Sequence, residues 1–325
     1  MSIIEQALLK RRTQRPEAGD APSLPGGASE GPEGAAASGS PGAPADGHAA
    51  LAAGGAGTAS RPVDIEIDYA TLRRLGMMIP GESRDALVEE LRIIKRPLLT
   101  NAFQPDASLA IERGRLIMVT SAIPGEGKSF STVNLALSMA LEVERTVLLV
   151  DADFSRPNIP ATLGFSAELG LMDVLTEPEV GLEDVILRTQ IPNLSVLPAG
   201  RTHQRATELL ASSAMARLLE EMHDRYPDRV ILFDTPPLLA SSEPSVLASQ
   251  MGQVVLVVEA ESTPSAAIRR AAERLAACDV VHTLLNKAAG WSGLEYGAGA
   301  GGYGYGLGGY GHRGEQRGAP AGQER

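Results

Sequence analysis

The most regular signal along the chain is a series of short, near-continuously apolar runs set between stretches of helical period. Runs at 116–120, 146–150, 194–197, 229–233, 253–258 and 280–285 read as strands, and apolar side chains recur at helical spacing over 130–141, 207–224 and 265–277. Strands that lack polar alternation are those covered by helices on both faces. The pattern therefore predicts an α/β domain over 84–295 with a doubly wound, mostly parallel sheet, and ligands at the carboxyl ends of its strands. Ahead of it, 84–96 reads as an amphipathic helix with Leu87, Leu91 and Ile94 on one face and Glu89, Arg92 and Lys95 at spacing three. Those charges either pair along the helix or meet another subunit. Residues 63–68 alternate as a short edge strand would, 71–78 looks helical, and Pro80-Gly81 closes a pre-domain segment, 62–83, whose purpose the pattern does not reveal.

Both ends of the chain lack this order. Residues 16–61 are almost all Pro, Gly, Ala and Ser, too poor in large apolar side chains to offset the entropy of ordering them, and read as a disordered linker. Residues 1–15 place Ile3, Ile4, Ala7 and Leu8 at helical spacing before Lys10, Arg11 and Arg12, which makes either a tethered docking helix for a partner or membrane surface, or a frayed start. Residues 296–325 are Gly-rich and read as a flexible tail.

Composition narrows the function. A net charge of −11 argues against general affinity for nucleic acid or anionic lipid. The single Cys278 forms no internal disulfide, and the five histidines lack metal-ligand spacing, which fits a reducing, cytoplasmic setting. With no run of 18 apolar residues and no signal-peptide core, work at the inner face of a membrane requires recruitment by a partner.

The chemistry centres on 121–129, Ser-Ala-Ile-Pro-Gly-Glu-Gly-Lys-Ser, between the first strand and a helix. An apolar strand that breaks into a Gly-rich turn ending in Gly-Lys-Ser and then starts a helix is a phosphate-binding P-loop. Ala122, Pro124, Gly125, Glu126, Gly127, Lys128, Ser129 and Phe130 are its candidate nucleotide contacts, Lys128 neutralising phosphate and the Ser129 hydroxyl binding Mg2+. Two other strands end in carboxylates, Asp151-Ala-Asp153 and Asp234-Thr-Pro-Pro237. Each alone could cap the next helix, but together with the loop they point to a magnesium shell. Asn286-Lys287 follows the last strand and begins like a guanine-reading Asn-Lys-x-Asp, yet Ala289 replaces the carboxylate. This favours adenine, with a plain strand-terminating Asn as the alternative.

Four of the six tyrosines, Tyr296, Tyr303, Tyr305 and Tyr310, lie in the Gly-rich tail, and twenty flexible residues reach roughly 25 Å. Together with the loop at 122–129, the second Walker motif at 149–156, Walker B at 231–234 and the helix segment Glu89-Glu-Leu-Arg92-Ile-Ile-Lys95, they resemble the bacterial tyrosine autokinases of polysaccharide synthesis and export. That resemblance implies ATP and Mg2+ as cofactors, Lys128, Asp151 and Asp153 as catalytic residues, and Ser129, Asp153 and Asp234 around the metal. Asp151 would orient or deprotonate the incoming tyrosine, and the tail tyrosines would be acceptors in trans. It implies a homo-oligomeric ring held through Glu89, Arg92 and Lys95, where Lys95 stands for the family's last arginine. It also implies a separate transmembrane polysaccharide co-polymerase and a cognate tyrosine phosphatase. The tethered N-terminal helix and Ile94-Lys-Arg-Pro-Leu98 resemble the exosortase (PEP-CTERM) subgroup. The rival readings are a partitioning or positioning ATPase, whose signature lysine early in the loop is absent from Ala122-Ile123-Pro124, and a non-catalytic ATP-binding scaffold.

Overall fold

Residues 64–82 and 86–288 are described by a computed structural model. The predicted N-terminal helix, the linker and the four tail tyrosines lie outside them. Seven strands, β1 (Leu116–Ser121), β2 (Thr146–Asp151), β3 (Leu187–Arg188), β4 (Leu194–Leu197), β5 (Arg229–Asp234), β6 (Gln253–Glu259) and β7 (Val281–Asn286), form one sheet ordered β3-β4-β2-β5-β1-β6-β7. All neighbours are parallel except the β3–β4 pair. Every residue of β1 is buried, as expected of a central strand packed on both faces. Two apolar clusters flank the sheet, one containing Met118, Phe233 and Leu256, the other Ile117, Leu135 and Leu149.

The helices are α1 (Tyr69–Arg74), α2 (Ala86–Ala102), α3 (Lys128–Ala140), α4 (Ile159–Leu163), α5 (Leu171–Thr176), α6 (Leu182–Val185), α7 (Ala206–Leu210), α8 (Ser213–Arg225), α9 (Glu243–Ala248) and α10 (Ser265–Arg274). Four differences from the sequence pattern have physical causes. The single helix predicted over 207–224 is two, because the Ser212 hydroxyl accepts the Met215 N–H at 3.1 Å and starts a new helix. Helix α2 runs past Pro97 instead of stopping at 96. Pro97 lies on its exposed face, where water can take the carbonyl it frees, while Leu98 beyond it is buried. The predicted edge strand at 63–68 is one parallel bridge, Ile65 to Thr189. The Gln190 side-chain amide replaces the rest of that ladder, holding both Ile67 N–H and Ile67 C=O at 2.8 Å. The predicted helix at 71–78 is the shorter α1, after which the chain turns so that Met78 N–H reaches Asn134 Oδ1 on α3 at 2.8 Å. The pre-domain segment is thus packed onto the domain, with Ile67, Leu72, Met78 and Ile79 in its core.

The three charges of α2 divide. Glu89 and Arg92 pair along the exposed face at 2.5 Å, the intrahelical alternative. Lys95 does not join them. It lies on the buried stripe between Leu91 and Leu98, only 7% exposed, donating to Ser138 C=O at 2.7 Å and pairing with Glu142 at 2.6 Å. Its expected place in an intersubunit contact is therefore corrected: it ties α2 to the end of α3. Lys95→Ala should lower unfolding stability by about 2–3 kcal/mol in a denaturant melt, through the lost pair and the unpaired Ser138 carbonyl.

Candidate nucleotide site

The parallel sheet brings the three signals to one edge. Asp234 ends β5, in register with Asp151 at the end of β2 and opposite Val119 of β1, just before the loop. The loop then turns into α3, whose first residue is Lys128. Gly125 and Gly127 both have φ +94°, a region that other residues enter only under strain. At Gly127 space is closed as well, since a Cβ would stand 2.0 Å from Asn286 Nδ2. Gly127→Ala should therefore distort the loop and abolish nucleotide-induced thermal stabilisation, a loss read directly in a melt with and without Mg-ATP.

Lys128 Nζ pairs with Asp153 Oδ2 at 2.7 Å and lies 3.8 Å from Asp234 Oδ1. Ser129 Oγ donates to Asp234 Oδ2 at 2.6 Å. Thr132, one turn along α3, donates to Asp234 Oδ1 at 3.3 Å. Lys128, Ser129 and Asp153 line a cavity of about 670 Å³ whose wall also includes Pro124, Gly125, Arg156, Pro236 and Pro237, while Asp234 and Thr132 are buried behind them. Burial raises the Asp234 carboxyl to about 6 against the opposing pull of Lys128 and the Ser129 hydrogen bond. A divalent cation would add to the positive charge that Lys128 brings to this buried carboxylate, and the Ser129–Asp234 pair already presents the hard oxygen donors that magnesium takes. Among the described residues no cluster of three His, Cys, Asp or Glu side chains could hold a metal ion.

Several predicted contacts take other places. Asp151 is fully buried and absent from the cavity wall, accepting the N–H groups of Asn158 and Ile159 at 3.0 Å and of Asp153 at 3.3 Å. It thereby folds the turn that presents Asp153, and burial raises its carboxyl to about 7. Ala122 is buried, with its C=O accepting Leu239 N–H at 3.1 Å. The Glu126 side chain is 1% exposed and held within the protein. Phe130 is half-buried, its C=O accepting the Asn134 amide at 2.8 Å. The Asn286 amide donates to Glu126 C=O at 2.9 Å, so this group holds the loop. Sequence reasoning missed Thr132 and the Pro236-Pro237 wall. Thr132 was detectable as the i+4 partner of Lys128, on the helix face that Asp234 meets.

Loop, helix and strand-end carboxylates define a P-loop nucleotide-binding protein. The chain belongs to the AAA domain family (AAA_31), which it matches over residues 114–283, and within it to the bacterial tyrosine kinases. It is 34% identical over 162 residues to the tyrosine-protein kinase YwqD of Bacillus subtilis (strain 168), covering 50% of this chain and 67% of that protein. It is 32% identical over 186 residues to the tyrosine-protein kinase ptk of Acinetobacter johnsonii, covering 57% of this chain but 24% of that one. The match thus spans about a quarter of the longer relative. Among solved structures, the chimerical protein CapA2B2 superposes with a TM-score of 0.54 at 26% identity, covering 68% of this chain and 93% of that one. No helix among the described residues is long and apolar enough to cross a membrane.

Proposed function

We propose that this chain is an ATP-dependent protein-tyrosine kinase that phosphorylates the C-terminal tyrosines of its neighbours and thereby regulates exopolysaccharide polymerisation or export. The observation that carries the proposal is the Lys128–Asp153–Asp234–Ser129 cluster at the loop, in a chain whose relatives are named tyrosine kinases. When bound, Mg-ATP supplies the phosphoryl group and the cation that balances its charge. Lys128, aimed by Asp153, binds phosphate oxygens, while Ser129 and Asp234, with Asp153 beside them, form the protein side of the metal shell. Asp151 is proposed as the tyrosine's proton acceptor. A carboxyl near 7 suits that task at neutral pH, but because the group is enclosed, the 153–158 turn must open for it. Adenine is the proposed base.

Transfer needs positioning more than covalent chemistry, so a tethered tail from an adjacent subunit suffices. The proposed homo-oligomeric ring would use the exposed Glu89 and Arg92, without Lys95. Each phosphotyrosine adds about −1.5 to −2 charges, so phosphorylation of an acidic chain would loosen the ring, and a tyrosine phosphatase would reset it. A transmembrane polysaccharide co-polymerase on a separate chain is the proposed recruiter to the inner face of the membrane. The exosortase subgroup remains part of the proposal.

Incubation with Mg2+ and ATP followed by phosphopeptide mapping tests this. Phosphotyrosine at Tyr296, Tyr303, Tyr305 or Tyr310 is expected, whereas phosphate release with unmodified tyrosines would favour an ATPase switch, and neither would leave a scaffold.

A further inference from the structure

A carboxylate inside a phosphate-binding loop is an electrostatic contradiction unless something holds its charge away from the phosphate. Glu126 stands in the middle of the loop, and the structure buries its carboxylate away from the nucleotide cavity. One oxygen accepts the Ile123 N–H at 2.7 Å, and the other accepts the Thr263 hydroxyl. Thr263 belongs to the turn after β6. That turn is itself fixed: Thr263 Oγ1 accepts the Glu259 N–H at 3.0 Å, Thr263 N–H reaches Glu259 C=O at 3.2 Å, and Glu261 has φ +59°. The end of β7 grips the same part of the loop. Asn286 holds Glu126 C=O, and Lys287 donates to Gly125 C=O at 2.9 Å while pairing with Glu259 at 3.1 Å. Lys287 takes a left-handed backbone, φ +58°, immediately after the strand. None of Glu259, Thr263, Asn286 and Lys287 is on the cavity wall, so all four act through the loop.

We infer that Thr263 and Lys287 are positioning residues for nucleotide binding: together they latch the loop at Glu126 and Gly125 and keep the Glu126 charge away from the phosphates. The latch rests on the site being a nucleotide site, not on what the phosphate is passed to. Without the Thr263 hydroxyl, one oxygen of a buried carboxylate loses its partner, and the side chain recovers hydration by rotating out of its buried place toward the open cavity. That rotation brings negative charge toward the place where phosphate binds. The cost therefore falls on anionic ligands, and it depends on Glu126 being charged.

The test is titration calorimetry with Mg-ATP on the full-length protein, with a melt of each variant as the folding control. Thr263→Val should raise the Kd about tenfold, and Thr263→Ser, which keeps the hydroxyl, should stay within about twofold of wild type. In a Glu126→Gln background the same Thr263→Val change should cost less than about threefold, because the misplaced charge is gone. A folded Thr263→Val protein that binds as wild type does, or an equal penalty in the Glu126→Gln background, would overturn the latch. Should Thr263→Val fail to fold, Lys287→Met decides: a severalfold weaker Kd supports the inference and an unchanged one overturns it. Absence of Mg-ATP binding by the wild type would overturn both the latch and the kinase proposal. Binding without tyrosine phosphorylation would overturn the kinase alone.

Discussion

Lys128→Met is expected to reduce tail phosphorylation by roughly 10²–10³-fold, the usual loss when one preorganised group that stabilises developing charge is removed. Lys128 is the cation nearest both site carboxylates, 2.7 Å from Asp153 and 3.8 Å from Asp234, with its side chain 13% exposed. Methionine keeps the length and apolar stem but supplies no charge for the phosphates. It also leaves Asp153, on the cavity wall, and Asp234, buried behind it, without their shared counter-ion. The variant should still fold, since protonation of Asp234, already raised to about 6, relieves part of that repulsion. Phosphotyrosine immunoblotting over a time course, with a melt as control, checks this. Activity within about tenfold of wild type would remove Lys128 from its proposed role.

Asp234→Asn carries the second large effect, and its sign is opposite for stability and for function. The folded carboxyl is raised from 3.8 to about 6, so the stability tied to its protonated form is fully present below about 3.8 and lost as pH rises through 6. At about 1.4 kcal/mol per pKa unit the loss is on the order of 3 kcal/mol. Asp151, raised to about 7, adds to the same decline. Ligand-free wild type should therefore lose stability between about pH 4 and 7, and Asp234→Asn should lose distinctly less, the difference lying below about pH 6 and the remainder belonging to Asp151. The same substitution removes a proposed metal ligand and the acceptor of the Ser129 hydroxyl, so Mg2+-dependent kinase activity should fall on the order of 10²-fold. Unfolding curves at the two pH values, without nucleotide or metal, provide the check. Parallel pH dependence in the two proteins would contradict the placement of this charge.

The central strands were legible because they are buried on both faces and so read as continuous apolar runs, from 116–120 through 253–258, whereas the two-residue edge strand β3 is too short to show a pattern. The site was legible because the loop and strand-end carboxylates have chemistry that local sequence displays: Lys128, Ser129, Asp153 and Asp234 do meet. What depended on distant packing was hidden. Lys95 looks like a surface charge until Ser138 and Glu142 of another segment receive it. Pro97 looks like a helix stop until Leu98 is seen in the core. Helices of four to six residues, such as α5 and α6, are too short for their period to be read. Thr263 sits 137 residues from Glu126, and only the adjacency of β1 and β6 joins them.

In the proposed reaction the γ-phosphate passes from one subunit's loop to another chain's tail. Mixing a catalytically intact chain whose Tyr296, Tyr303, Tyr305 and Tyr310 are all phenylalanine with full-length Lys128→Met, in Mg2+ and ATP, separates donor from acceptor. Phosphotyrosine on the tail of the Lys128→Met chain is the predicted result; inorganic phosphate released while every tyrosine stays unmodified would contradict it.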